Sequence, residues 1–283
     1  MPTQPRRGSM PSAVTRSGSV SGSLSGVRPC KDPDFHVRLA VGPDDVRAAQ
    51  RLRYRIFVEE LGGGGPMVDH EAALEVDQFD AWFDHLLLFD RALPGEEADQ
   101  VIGVYRLLRA DQAARAGQFY SEGEYDLSAL RSSGRPLLEL GRSCVDVRYR
   151  GGQALLHLWQ GLAAYVADHG IEVLFGVASF HGTDPGALAA PLSLLHHRYL
   201  APPELRARSL VHQPMNLIAP DALDRRAAML QVPPLIKAYL RLGGYVGDGA
   251  YIDHEFNTVD VCLMMDTARL SVGHRALYGG GRG

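Results

Sequence analysis

Cysteine is scarce in this chain. Only Cys30, Cys144 and Cys262 occur among 283 residues, with neither a C-x-x-C pair nor the spacing of a disulfide framework. This excludes a disulfide-stapled secreted domain and a cysteine metal site, and it points to the reducing cytoplasm. Long apolar runs are lacking too. No stretch approaches ~20 uninterrupted apolar residues, the length a spanning helix needs. Net positive charge is absent: the chain carries −4 at pH 7, which argues against a dedicated nucleic-acid binder. There is no internal repeat. Ser179 and His181 stand in "GVASFHG" without a G-x-S-x-G elbow, so a serine hydrolase is not expected. Zinc-ligand spacing is also missing. His196 and His197 would diverge by about 100° on a helix, and Asp253-His254-Glu255 would alternate faces on a strand. No metal site is expected from either.

The residues that are present suffice for a folded core, since 46% are hydrophobic. Charge is uneven. Arg6, Arg7, Arg16, Arg28 and Lys31 face no acid within residues 1–31, which leaves −9 for the remainder. Residues 1–34 are rich in Ser, Gly, Pro and Arg and lack the apolar core of a secretory signal. Such a composition buries too little surface to offset its ordering entropy, so a disordered basic tail is expected. Its charge would suit peripheral contact with an anionic membrane at the inner face. Residues 271–283 read as a flexible C-terminal tail. Between the tails, 35–270 contains no linker-like break and reads as one domain.

Within that domain the pattern predicts a strand at 35–40 and a helix from Pro43 that stops at the glycine run 62–65. Strands follow at 85–90 and 101–109, then a mixed segment over 110–135. A strand opens at 137, and a helix runs from Gln153 to about His169. Leu155, Leu158, Trp159, Leu162 and Val166 form its apolar stripe. A buried strand is expected at 171–180, and a helix in "DPGALAAPLSLLHHRYL" with Pro185 near its start. A short helix in "PPLIKAYLRLGG" and two strand-like runs, "GAYIDHEF" and "TVDVCLMMD", complete the order. The fold class is α/β, a mixed central sheet with flanking helices.

Two features of "LLELGRSCVDVRYRGGQALLHLW" carry chemistry. Glu139 is a carboxylate inside an apolar strand; burial would raise its pKa toward that of a base, though an ion pair with Arg106 or Arg142 would explain it equally well. Arg148, Arg150, Gly151 and Gly152 precede a helix N-terminus, whose free N–H groups suit a phosphate.

The topology and this turn resemble the GNAT acyltransferases, where pantetheine runs between two splayed strands and its phosphate meets the turn. More specific are "LRYRIFVEELG", "EVDQFD", "VIGVYRLL" and "LELGRSCV" in this order. They resemble the acyl-carrier-protein-dependent branch that includes the acyl-homoserine-lactone synthases. "ELGRSCV", "ASFHGTDP", "LLHHRYLAPPELR" and "PPLIKAYLRLGGYVGDGAYIDHEFNTVDV" resemble the L-ornithine Nα-acyltransferases of ornithine-lipid synthesis, over roughly residues 36–265. The resemblance implies transfer of an acyl chain, typically 3-hydroxyacyl, from acyl carrier protein to the α-amine of L-ornithine. No tightly bound cofactor is implied, only the phosphopantetheine of the donor. Gln153 stands where the family turn has a small residue, which implies acyl carrier protein rather than acetyl-CoA.

Roles follow from the same resemblance. Glu139 is the first candidate for proton acceptor, with Asp77 and Asp80 as an ammonium-binding or relay pair. Arg53 would hold a carboxylate and Phe57, four residues on, would wall the acyl chain in the same groove. Arg106 and Arg142 would belong to the charge network. Arg148, Arg150, Gly151, Gly152 and Ser179 would line the donor slot. Two alternatives stay open: a sibling enzyme using glycine, another amino acid or S-adenosylmethionine, and a non-catalytic acyl- or carrier-binding module.

Overall fold

The computed structural model describes residues 32–269. The expected tails, 1–34 and 271–283, lie outside the described residues except for 32–34. Strand β1 (Phe35–Leu39) leads into helix α1 (Pro43–Arg53), which starts at a proline with Asp44 and Asp45 in its first turn. That placement of acids complements the helix dipole. The helix then widens into a π-helical segment, Tyr54–Glu60. Strands β2 (Asp84–Asp90) and β3 (Val101–Arg109) follow. The mixed segment resolves into α2 (Ala110–Ala116), a two-residue strand β4 (Tyr125–Asp126) and α3 (Ser128–Ser132). Then come β5 (Leu137–Val145), α4 (Ala154–Asp168), β6 (Val173–His181) and α5 (Ala189–Tyr199). A short strand β7 (Arg208–Ser209), helices α6 (Arg225–Gln231) and α7 (Pro234–Arg241), and strands β8 (Tyr245–Val246), β9 (Tyr251–Asp253) and β10 (Thr258–Asp266) finish the chain.

The main sheet runs β1-β2-β3-β5-β6-β10-β8, with β9 also on β10. Every pair along it is antiparallel except β5 with β6, so the sheet is mixed as expected. The parallel pair is short: only Leu137, Glu139 and the residue between them match Val173 to Phe175. Beyond that point the two strands part. Gly176 sits at the fork, where a Cβ would come within 2.1 Å of the Leu140 carbonyl oxygen. Only glycine lets the backbones approach this closely before they separate.

The two faces of the sheet differ. On one, α4 lays Leu158, Leu162 and Val166 on Leu86, Leu138 and Leu174, with α7 packed through Ile236 and Tyr239. On the other, α1 covers Leu87, Phe89 and Val104. Buried charges also lie on this second face, among them Arg106 and Glu139, which are 0% and 1% exposed.

One expectation is corrected. Pro185 does not open α5. It precedes the helix in a turn where Asp184 accepts from the Gly186 N–H, and the helix starts at Ala189. Arg106 lies fully buried within β3, whose bounds are as expected, and is paired with Gly141 of β5.

Candidate active site

The fork between β5 and β6 opens a cavity of about 820 Å³. It passes through the sheet and therefore has two kinds of wall. Tyr105, Leu140, Leu174, Tyr239, Leu263 and Met265 come from the α4 and α7 face. Tyr120, Glu124, Arg142, Asp253, Phe256 and Asp260 form a polar end. Beyond Glu139, the edge of β5 that faces β6 has no ladder partner among the described residues. Arg150 Nε donates to the Val145 carbonyl at the far end of this edge, at 2.9 Å, and the stretch before it could bond an extended ligand in the gap.

A β-bulge decides which side chains reach the polar end. Arg106 pairs with Gly141 and Val104 with Cys144, so Arg142 and Ser143 together oppose Tyr105. Arg142 takes a left-handed φ of 48°, a conformation rare outside glycine. The bulge turns Arg142 toward the face that Glu139 occupies. Arg142 Nη1 donates to the Tyr120 hydroxyl at 3.3 Å, while the Tyr120 backbone N–H donates to Glu139 Oε2 at 2.8 Å.

Behind the polar end lies a balanced ion network. Arg53 donates to Glu75 and to both oxygens of Asp80, at 2.6 and 2.9 Å for the latter. Arg106 Nη1 donates to Asp77 at 2.6 Å and to Asp80 at 2.9 Å. Arg142 donates to Glu75 at 3.1 Å and lies 3.6 Å from Asp77. Three arginines thus meet three carboxylates. The remaining Arg106 nitrogens, Nε and Nη2, have no oxygen partner, and its guanidinium instead lies 4.3 Å over the Phe83 ring. Burial alone would raise the Asp80 carboxyl, but the Arg53 hydrogen bonds and charge outweigh it and hold the group well below the usual range. Arg142 and Arg53 likewise overcome burial and lower Glu75.

Glu139 has a different environment. It forms no direct pair with Arg106 or Arg142. It accepts from the Tyr120 and Ser121 N–H groups, the latter at 2.6 Å, and from the Ser121 hydroxyl. Burial pushes its pKa up to about 7 against those hydrogen bonds. It does not line the cavity.

Of the residues expected from the sequence, the structure therefore brings Phe57, Arg142, Arg150, Gly151 and Ser179 to the cavity wall. Arg53, Asp77, Asp80 and Arg106 meet one another in the network instead. Arg53 and Phe57 do not share a groove: i→i+5 bonding begins at Tyr54, so four-residue spacing no longer sets the facing. At the donor turn, Arg148 is held by Asp146 at 2.9 Å and Arg150 by Glu60 at 2.8 Å. Gly151 takes a φ of 77°, and Gly152 sits beyond the wall.

Comparison with known proteins fits this geometry. The acetyltransferase (GNAT) domain description matches residues 52–160. An L-ornithine N(alpha)-acyltransferase of Rhodobacter capsulatus is 59% identical over 244 residues, 86% of this chain and 94% of that protein. The chain belongs to the L-ornithine N(alpha)-acyltransferase family. A member from Brucella abortus is 45% identical, over 87% of this chain and 89% of its own length. Among solved structures, the N-acyl amino acid synthase FeeM from uncultured soil microbes has a TM-score of 0.47 at 14% identity, covering 84% of this chain and 93% of that one. The fold is GNAT-like, and among the described residues no helix is long and apolar enough to cross a membrane.

Sequence reasoning missed part of this family member's site. Glu124 and Tyr120 lie in the segment read only as mixed, and Asp260 lies in a strand read only as a strand. Glu124, Asp253 and Asp260 converge so that one oxygen from each lies within 4.8 Å of the others. Burial, then the like charges of Asp260 and Asp253, push Glu124 up to about 9. Burial pushes Asp260 up to about 6, opposed by a hydrogen bond from Ser179, its ladder partner on β6.

Proposed function

We propose that this enzyme transfers an acyl chain from an acyl-carrier-protein thioester to the α-amine of L-ornithine, giving lyso-ornithine lipid. The observation that carries the reading is the 59% identity spanning 94% of an L-ornithine N(alpha)-acyltransferase. The two-walled cavity supports it. Pantetheine would lie in the fork, bonded to the unpaired edges of β5 and β6, with its phosphate near Gly151 and the start of α4. The acyl chain would occupy the apolar end. There Tyr105 and Tyr239 hold their hydroxyls 2.5 Å apart. This is a polar spot in an apolar chamber and would suit the hydroxyl of a 3-hydroxyacyl chain.

The amino acid would enter the polar end. Arg142 would face its α-carboxylate, and the α-nitrogen would attack the thioester carbonyl. The C–N bond forms as the C–S bond breaks; of the two protons the α-ammonium gives up, one passes to water before the attack and the other to the departing thiolate. The amides of Arg142 and Ser143, which fall outside the paired register, would be the candidates to donate to the oxyanion. Glu139 would serve as a positioning residue. It fixes the turn that carries Tyr120 and Glu124 into the cavity.

Acylation of ornithine by acyl carrier protein loaded with a 3-hydroxyacyl chain tests this directly, with mass spectrometry locating the new amide. An N-acyl product at the α-nitrogen is expected, and acetyl-CoA should serve poorly. Equal or better use of acetyl-CoA would overturn the donor assignment.

A further inference from the structure

We propose that Glu124, Asp253 and Asp260 form the site for the side-chain ammonium of the diamino acid, hold that nitrogen in its charged form, and thereby direct acylation to the α-nitrogen. The inference rests on the reading above that ornithine is the acceptor, and it adds what selects ornithine and which of its nitrogens reacts.

The three carboxylates come from three places in the chain: the turn before β4, the end of β9, and β10. All three line the cavity. Two are almost fully buried, Glu124 at 8% and Asp260 at 3% exposure. Glu124 Oε2 and Asp260 Oδ1 have no hydrogen-bond partner of good geometry, although the Ser179 and Thr258 hydroxyls lie near enough to Asp260 to lower its pKa. Asp253 uses Oδ1 to accept from the Glu255 and Phe256 N–H groups, at 2.7 and 3.0 Å. Among the described residues no salt bridge reaches any of the three. A few residues away the arginines of the sheet already hold acids of their own. Buried polar atoms are ordinarily paired, so these oxygens await a donor that arrives with the substrate.

The donor fits an ammonium. A –NH₃⁺ group has three N–H bonds and no acceptor. Hydrogen bonds of ordinary length at near-tetrahedral angles would set its three acceptors about 4.6 Å apart. The cluster offers three oxygens within 4.8 Å of one another.

The same geometry says which nitrogen this is. Carboxylates around an amine favour its protonated form, and a protonated amine has no lone pair for a carbonyl. The cluster is therefore suited to the nitrogen that must stay inert. The α-nitrogen, beside Arg142 rather than among acids, is the one left able to lose its proton.

The test compares ornithine with norvaline, which has the same carbon skeleton without the side-chain amine, using a thioester of acyl carrier protein in buffer containing EDTA. The wild-type enzyme should prefer ornithine by about 100-fold or more in kcat/KM, since a site built for a hydrogen-bonding group strongly rejects its apolar analogue. In Asp260→Asn and Glu124→Gln, ornithine should lose about 100-fold, chiefly through KM. Norvaline should change less than about 3-fold. A parallel fall for both amino acids would overturn the inference alone, as would loss of wild-type activity in EDTA that a divalent cation restores, which would make the cluster a metal site. Failure of the wild-type enzyme to acylate ornithine at all would overturn the underlying reading and this inference with it. Calorimetry on the wild-type protein needs no variant to fold. Glu124 faces Asp260, Asp253, Arg142 and Glu139. A cation entering there should drive off its proton, so ornithine binding near pH 8 should release protons to buffer. Binding with no proton release would count against the cluster as the ammonium site.

Discussion

The ion network around Arg53, Arg106 and Arg142 and the carboxylate cluster around Glu124 share one face of the sheet but not one charge balance. In the network, three guanidinium groups meet Glu75, Asp77 and Asp80. The acids whose pKa values move there move down. In the cluster, acids face one another with no salt bridge among the described residues, and Glu124 and Asp260 move up. A buried group that is paired within the protein has its work done by folding. A buried group left unpaired stores a free-energy cost that a ligand can relieve. The contrast separates residues that build the site from residues that await substrate, although both sets are buried and charged.

The sharpest way to break this contrast is to remove one partner from the network. Asp80→Ala leaves Arg53 and Arg106 short of a shared acceptor deep in the protein. Breaking a buried pair in this way costs about 3–5 kcal/mol, and chemical denaturation should show a loss on that scale. Acid should act in the same direction. Because Glu75 and Asp80 are depressed in the folded state, their contribution is present above the unfolded carboxylate range and is lost as pH falls below about 4. An Asp80→Ala protein as stable as the wild type would make the network no more structural than the cluster.

The cluster should respond with the opposite sign. Glu124 binds its proton more tightly folded than unfolded, so folding becomes less favourable as pH climbs from about 4.5 to about 9. Glu124→Gln removes that dependence. At pH 8 the variant should be more stable than wild type by on the order of 1–3 kcal/mol, with a flatter stability–pH curve, even as it loses ornithine. A variant less stable than wild type at pH 8 would mean that the carboxyl is held by a favourable contact, and the cluster would then resemble the network.

At the apolar end the contrast is milder, because the Tyr105 and Tyr239 hydroxyls already satisfy each other. Tyr239→Phe should therefore reduce the preference for 3-hydroxyacyl over plain acyl donors by about 10-fold, the worth of one net hydrogen bond. Competition between the two donors measures it. An unchanged ratio would remove the tyrosine pair from donor selection.

How much of this could be read from the sequence differs between the two clusters. The frame was legible: β5, the glycine turn, α4 and β6 follow from apolar periodicity and glycine punctuation. Arg53, Asp77, Asp80, Arg106 and Arg142 stood out individually, yet nothing in their spacing says that they meet one another. Their meeting depends on a loop folding back over the sheet and on a bulge at Arg142. The π-helical turn after Arg53 left no mark in the pattern either, so the facing of Phe57 was misjudged. Glu124 was invisible because its segment has neither helical nor alternating periodicity. Asp260 did carry a signal. An acid between Val259 and Val261 in an apolar strand is the same anomaly that singled out Glu139.

Glu139 gives the smallest expected effect and the finest test of the contrast, because it belongs to neither cluster. Its carboxylate accepts three hydrogen bonds from Tyr120 and Ser121, and it lies behind the cavity wall. Its pKa of about 7 is that of a good base, but a base must reach the proton it takes, directly or through one water. Glu139→Gln keeps one oxygen to accept from the turn and places an amide where the other oxygen was. The turn should shift slightly, moving Tyr120 and Glu124 at the substrate. The expected result is a rise in KM for ornithine, a fall in kcat of less than about 10-fold, and a pH–rate profile that keeps its shape. If Glu139 were the proton acceptor, kcat would instead fall by about 100- to 10,000-fold, and the limb of the profile near pH 7 would vanish. Single-turnover rates across pH 6 to 9, measured beside a melting curve to separate chemistry from unfolding, distinguish a carboxylate that holds the site's wall in place from one that takes part in the reaction through it.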